Sequence, residues 1–360
     1  MIKYLGSKRL LVPHIVRVAE VSGCKTGLDL FAGTTRVAQG LKKAVMSITA
    51  NDLATYSRVF SDCYISTDKR SINLKDLEMS IEHLNNIEVG ESGYFTEMFC
   101  EKARFFQPKN GRKIDTIRKE IENGFKGDAL YPILLTSLIE AADRVDSTCG
   151  QQMAFLKKWS KRSFNDLELR VPDLIDGDGA TLCMDAEKVI DGSEYYDFIY
   201  VDPPYNNHSY FANYHIWETL VRMDEPDVYG VVNKRVDAKE DVNKSVFNRK
   251  KDMPPALFNI IDKANCGVLV VSYNNESWVE PEQIFSAIKN RFEDSLVLSF
   301  DYKRYVGAQI GVYNNKGEVA GQVSHLKNKE YLFVGCDRET GESLRNDSVL
   351  GNHFDGTMEL

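Results

Sequence analysis

Paired cysteines, paired histidines, long apolar runs and an excess of basic charge are all missing from this chain of 360 residues. Its 7 Cys lie at positions 24, 63, 100, 149, 183, 266 and 336, with no C-x-x-C. That spacing argues against a structural zinc site or a disulfide frame, and for free thiols in a reducing cytoplasm. Only 6 His occur, with no H-x-x-x-H, so no metal site is expected. No apolar run reaches the length of a membrane span, and we expect no membrane partner. The opening MIKYLGSKRL is charged and lacks the apolar core of a signal peptide. Acids outnumber bases, 53 to 45, for a formal net charge of −8. Nucleic-acid binding wants a basic footprint, so total charge alone points away from it. We find no internal repeat and no low-complexity linker.

What is present is an ordinary globular composition, 43% hydrophobic and 27% charged, long enough for one large domain or two. Basic residues are concentrated locally. The segment 102-KARFFQPKNGRK-113 has Lys and Arg but no acid, 157-KKWSKR-162 surrounds a Trp, and 249-RKK-251 adds a third cluster. Charge runs are usually solvated faces. Two of these interleave with aromatics, which keeps nucleic acid open as a partner.

Apolar patterning predicts a βαβ unit first: a strand over 28–31, a helix over 34–42, and a strand over 47–50 that ends at Asn51-Asp52. From about 56 to 172 helical spacing dominates. Strands then return over 180–184, 198–201, 267–273, 296–302 and 331–334, with a helix over 281–290. The last two flank the turn-rich 313-YNNKG-317 and read as a long hairpin. The polar stretch 224–252 reads as a loop at the same edge as Asp202. The expected architecture is α/β, with a helical insertion over 56–172 between catalytic segments 1–55 and 173–360.

The stretch 197-DFIYVDPPYNNHSY-210 drives a buried strand into Asp202-Pro203-Pro204-Tyr205. Two prolines remove two donors and fix φ, so the ladder stops in a stiff corner. That corner offers a carboxylate, a carbonyl and an aromatic ring at a strand's carboxyl end, where open α/β sheets bind ligands. A second candidate is 28-LDLFAGTTRVA-38, in which a strand meets Gly33 and then a helix N-terminus. It lacks the full G-x-G-x-x-G. Asp52, after the next strand, sits where an acid usually holds a ribose; it could equally cap a helix. Lys8 in 4-YLGSK-8 could meet a carboxylate, with Tyr4 or the Gly6 backbone beside a cofactor; a solvated turn is the alternative. Asp185 is expected to flank the same pocket, or to be a surface turn. His208, His215 and Glu218 read as packing and loop-anchoring residues.

In this order the motifs resemble the Dam-like, D12-class DNA adenine-N6 methyltransferases, with α-type motif order. Tyr4-Leu-Gly-Ser-Lys8 is similar to that family's cofactor motif, with Ser7 in place of a Gly. Asp29-Leu-Phe-Ala-Gly33 resembles its first strand motif, Asp52 its ribose acid, and Asp202-Pro203-Pro204-Tyr205 its catalytic signature. The stretch 268-VLVVSYNNE-276 resembles the strand that follows. The segments 303–319 and 325–334 resemble the C-terminal hairpin of restriction-linked members. The resemblance implies a Rossmann-like S-adenosylmethionine-dependent methyltransferase sheet and methylation of adenine N6 in duplex DNA by base flipping. It implies a cofactor site that includes Tyr4, Lys8, Asp29, Phe31, Gly33, Asp52, Asp185 and Asp202. It also implies a bacterial or phage origin in the cytoplasm, and possible association with a restriction endonuclease acting on the same site. Target recognition is expected in the insertion. Lys157, Lys158, Lys161 and Arg162, with Lys303 and Arg304, are the candidate DNA contacts. A cytosine-N4 methyltransferase and a non-enzymatic DNA-binding module are the competing readings.

Overall fold

A computed structural model describes residues 2–6, 8–44, 47–192, 194–204, 209–240, 243–275, 277–303, 312–313, 319–321 and 327–356. Its apolar runs assemble as strands β1 (Thr26–Asp29), β2 (Ser47–Asn51), β3 (Gly179–Leu182), β4 (Tyr196–Val201), β5 (Cys266–Asn274), β6 (Asp294–Lys303) and β7 (Lys327–Cys336). Among the described residues they form one sheet in the order β3-β2-β1-β4-β5-β7-β6. The pairs β3–β2, β2–β1, β1–β4 and β4–β5 are parallel. β7 runs antiparallel to both β5 and β6, the latter from Lys327 opposite Lys303 to Cys336 opposite Asp294. This is the mixed, Rossmann-like sheet that the resemblance implies, with the expected C-terminal hairpin.

The runs in β4 and β5 are continuous rather than alternating because helices cover both faces of the sheet. Phe198, Tyr200, Val268, Val270, Leu332 and Val334 enter one core. Their neighbours Ile199, Val201, Leu269, Val271, Phe333 and Val297 enter the other. That is the two-residue period of a strand, with each fully buried Val or Leu contributing ~1.5–3 kcal/mol. The first core is roofed by α1 (Val12–Val21) and α2 (Arg36–Lys43). It extends through α3 (Thr55–Ser61), α4 (Leu74–Asn86), α5 (Pro108–Phe125) and α6 (Tyr131–Arg144), which lie between β2 and β3. α7 (Ala186–Asp191), α9 (Met253–Lys263) and α10 (Pro281–Arg291) cover the second, while α8 (His215–Arg222) joins the first. Among the described residues no helix is long and apolar enough to cross a membrane.

Two boundaries differ from the pattern. β1 ends at Asp29, although Leu30 N–H still reaches the Tyr200 carbonyl and Ala32 N–H the Asn51 carbonyl before Gly33 turns the chain at φ +52°. The helix after it begins at Arg36, since Thr35 adopts φ 60°. That conformation is rare for a β-branched residue. It is held by Thr35 N–H to the Ala32 carbonyl, 2.6 Å, and by Gln39 Nε2 to Thr35 Oγ1, 2.8 Å. The stretch 224–252 is not a continuous loop. Val228–Tyr229 pairs with Lys234–Arg235, and the buried Arg235 guanidinium is clamped by Asp224 and Asp237.

The insertion is tied back to the sheet at a crowded point. After α3 the chain makes a π turn over Asp62–Ser66, which leaves carbonyls without ordinary helical partners. The buried Lys42 ammonium donates to the carbonyls of Tyr64, Ile65 and Thr67 at 3.2, 2.7 and 2.8 Å. Gly179 opens β3 against the same turn, and a Cβ there would lie 2.7 Å from the carbonyl oxygens of Ile48 and Ile65. Both obstacles are backbone, so neither can swing aside. Gly179→Ala is therefore expected to destabilise the protein by about 1–3 kcal/mol. Urea denaturation checks this; an unchanged midpoint would show that β3 slides without loss.

Candidate active site

The strand order reverses between β1 and β4, and a cleft opens at the carboxyl ends there, as it must for a ligand site in an open α/β sheet. It encloses roughly 940 Å³, its open mouth included. Asp202, Pro203 and Pro204 form one wall at the end of β4. The Lys8 ammonium lies 3.2 Å from Asp202 Oδ1 and 3.1 Å from Glu330 Oε2, with only 7% of its side chain exposed. Burial pushes the Asp202 carboxyl up to about 6, against the opposing pull of Lys8. Tyr205, Arg304 and His208 lie outside the described residues, as does the side chain of Lys303.

The opposite wall is the turn after β1. Asp52 accepts from Gly33 N–H at 2.8 Å and Ala54 N–H at 3.0 Å, joining the glycine turn to the start of α3. The N-cap of α3 is Ala54, with no side-chain cap, so Asp52 braces the glycine turn rather than capping the helix. Burial raises its carboxyl, while these amides draw it down. Asp29 is buried, accepts from Ala38 N–H at 3.1 Å through Oδ2, and leaves Oδ1 with no hydrogen-bond partner. Phe31 packs edge-on to Phe247, and both line the cleft. Asp185 lines it too, while capping α7 through Glu187 N–H at 3.0 Å.

Tyr4 covers the glycine turn: a Cβ on Gly33 would meet its ring at 3.1 Å. The Tyr4 ring packs in a triangle with Tyr210 and Tyr214, at centroid distances of 5.2 and 4.7 Å. Leu5 N–H donates to Tyr214 Oη at 2.7 Å. The N-terminal motif is thereby fixed to the chain that follows the proline corner. His215 is buried beside Phe99, its ring bonded to the Gln152 carbonyl, and burial drives its imidazole down to about 3. Glu218 accepts from Thr55 and Tyr56 N–H. Both act as packing and anchoring groups.

Sequence reasoning missed Glu330, and it missed Asn243, Ser245, Phe247 and Asn248, which line the cleft from the 224–252 excursion. A signal existed for Glu330: a charged residue heads the apolar run YLFV inside a strand. The 157–162 cluster lies apart from the cleft lining, yet its loop is joined to the cleft side. Gln152 N–H donates to the Asn213 carbonyl, and Tyr214 Oη to the Gly150 carbonyl. Lys157, Lys158 and Lys161 are exposed. Arg162 instead bonds Asp146 and the Thr148 carbonyl. Arg104 lies over the Trp159 ring at 4.8 Å and donates to the Lys157 carbonyl.

Residues 4–287 match the family described as D12 class N6 adenine-specific DNA methyltransferase. The chain is 31% identical over 322 residues to the modification methylase StsI of Streptococcus sanguinis, covering 84% of this chain and 48% of that protein. It is 30% identical over 329 residues to the type II methyltransferase M.FokI of Planomicrobium okeanokoites, covering 84% and 49%. To the type II methyltransferase M.NlaIII of Neisseria lactamica it is 29% identical over 344 residues, covering 91% and 99%. The chain thus spans about half the length of the first two relatives and nearly all of the third.

Burial, reinforced by the nearby Asp202, pushes the Asp29 carboxyl up to about 8. An exposed aspartate ionises near 4, so folding takes up a proton here between about pH 4 and 8. The folded state then holds more protons than the unfolded one across that window, and this group's contribution to stability falls as pH rises through it. Asp29→Asn should flatten the pH dependence of the urea midpoint between pH 5 and 9. A variant whose profile parallels the parent's would show that Asp29 is ionised throughout.

Proposed function

Since the chain belongs to the D12 class of N6 adenine-specific DNA methyltransferases, we propose that it moves a methyl group from S-adenosylmethionine to the N6 amine of adenine in duplex DNA. The observation that carries this reading is the placement of Asp202 and Pro203, which face one cleft with Asp52 and the Gly33 turn. An exocyclic amine is a poor nucleophile because its lone pair is delocalised into the ring. The Asp202 carboxylate and the Pro203 carbonyl accept its two N–H groups, which favours a pyramidal nitrogen and stabilises the positive charge that develops there. A carboxylate held near 6 is also basic enough to receive the proton that the methylated nitrogen sheds. Tyr205 is assigned to stack on the base, with Pro204 stiffening the corner. A base inside a duplex cannot reach this cleft, so the adenine is flipped out.

S-adenosylmethionine supplies, when bound, an electrophilic methyl on a sulfonium. The residues present fit it. Asp52 lines the cleft and keeps spare acceptor capacity beside the Gly33 turn, which suits the hydroxyls of a ribose. Asp52 is assigned to the ribose hydroxyls and the turn around Gly33, with Asp29, to the amino-acid end. Tyr4, Phe31 and Asp185 complete the walls, and Lys8 holds Asp202 at their junction.

We assign DNA recognition to the segment 56–172. Lys157, Lys158 and Lys161 contact phosphates, and Arg162, held by Asp146, fixes the loop that presents them. Lys303 and Arg304 are assigned to the same backbone. The likeness to type II methyltransferases supports pairing with a restriction endonuclease of the same specificity.

Methylation-sensitive sequencing of DNA from a host expressing this chain tests the whole reading: N6-methyladenine at one sequence is expected, and N4-methylcytosine or an unmodified genome overturns it. Asp202→Ala should remove the mark while cofactor and DNA binding persist. The lost acceptor is worth roughly 2–4 kcal/mol of barrier, or about 10²–10³ in rate. The double variant Lys157→Glu/Lys158→Glu should weaken binding to all DNA sequences alike and flatten the log–log salt dependence by about one unit per lost phosphate contact. Unchanged affinity and slope would make the cluster a solvated face.

A further inference from the structure

The Lys8 ammonium serves two acids at once, and one of them has no assigned role. Glu330 lies on β7, opposite Asn274 of β5 and Phe300 of β6, on the sheet face that carries Leu332 and Val334. A carboxylate there is expensive to bury. A neutral side chain of similar volume would pack at that strand position without one. Its partner is the ammonium that also faces Asp202, at nearly equal distances of 3.1 and 3.2 Å.

The charged and titratable groups around Asp202 are Lys8 from the N-terminal segment, Glu330 from β7, Asp29 from β1 and the Tyr200 hydroxyl from β4. Lys8 is the cation among them. If it faced Asp202 alone, a tight ion pair in this buried setting would hold the carboxylate still and also quench it as an acceptor. A second carboxylate on the same ammonium divides that attraction.

We propose that Glu330 is a positioning residue for Asp202. By sharing Lys8, it lets the ammonium fix the Asp202 carboxylate in place without neutralising it, so that one oxygen stays a strong acceptor toward the cleft. The inference rests on the reading of Asp202 as the acceptor of the target amine.

The test is Glu330→Gln in the full chain, with Glu330→Asp beside it. E330Q removes the carboxylate that competes with Asp202 for the ammonium. The Asp202 titration, followed by NMR of carboxyl-labelled aspartate and assigned by its loss in D202N, should move down by about one pH unit. The acid limb of the pH–kcat profile on unmethylated genomic DNA should follow it. The plateau kcat should drop roughly three- to tenfold, since a weaker base is a weaker acceptor, with KM for S-adenosylmethionine unchanged. E330D keeps the charge and should return the titration to the parent's position. A merely structural Glu330 would leave the Asp202 titration where it was, whatever happens to the melting temperature; that result overturns the proposal. So does an E330D titration that matches E330Q, because the charge is then not the cause. The two readings fail separately. D202N turning over at the parent's rate removes the acceptor assignment and with it this inference, whereas an inert D202N with an unmoved titration in E330Q overturns the inference alone.

Discussion

A lysine ammonium withdrawn from water must be answered by negative charge within hydrogen-bonding reach, and much of this structure follows from how Lys8 is answered. Its partners come from the end of β4 and from β7, so a residue that precedes every strand is seated at the sheet's carboxyl edge. Once it is there, the residues before it have little choice. Tyr4 must lie over the Gly33 turn, and Leu5 must meet Tyr214. Removing the charge from either acid would leave the ammonium undercompensated in a dry place, which costs far more than a surface ion pair is worth.

The same segment is gripped from the insertion. Lys3 bonds the Asp143 carboxylate at 2.8 Å and faces Asp146, the acid that also holds Arg162. The basic loop, the N-terminal motif and the helix after the proline corner are therefore one connected body. This explains how a helical insertion without a core of its own can present lysines in a fixed relation to a cleft. Its phenylalanines and isoleucines share a single core with the sheet.

Much of this could be read from the sequence, and the parts that could be read have a common cause. Strands buried on both faces announce themselves as unbroken apolar runs, so β4, β5 and the closing hairpin were visible, and with them the strand end that carries Asp202. Asp52 was legible because strand, turn and acid are close in sequence. Contacts between distant residues were not. Nothing near Glu330 says that it meets residue 8, and the cleft-lining residues 243–248 sit in a stretch with no periodicity. Thr35 hid the true start of α2, since its left-handed backbone is imposed by Ala32 and Gln39 rather than by its own preference. Arg162 is indistinguishable from its lysine neighbours until Asp146, sixteen positions earlier, is placed beside it.

The Lys8–Glu330 contact joins residues 322 positions apart. During synthesis the lysine leaves the ribosome 322 residues ahead of its carboxylate partner on β7. Closing so long a loop carries the entropy of the whole intervening chain, and such contacts form late. The pocket that would bind the methyl donor is thus completed only after the seventh strand has found its place between β5 and β6. An unfinished chain can hold most of its sheet and still lack an assembled site. On the proposed reading, methyl transfer therefore waits for β7 to dock.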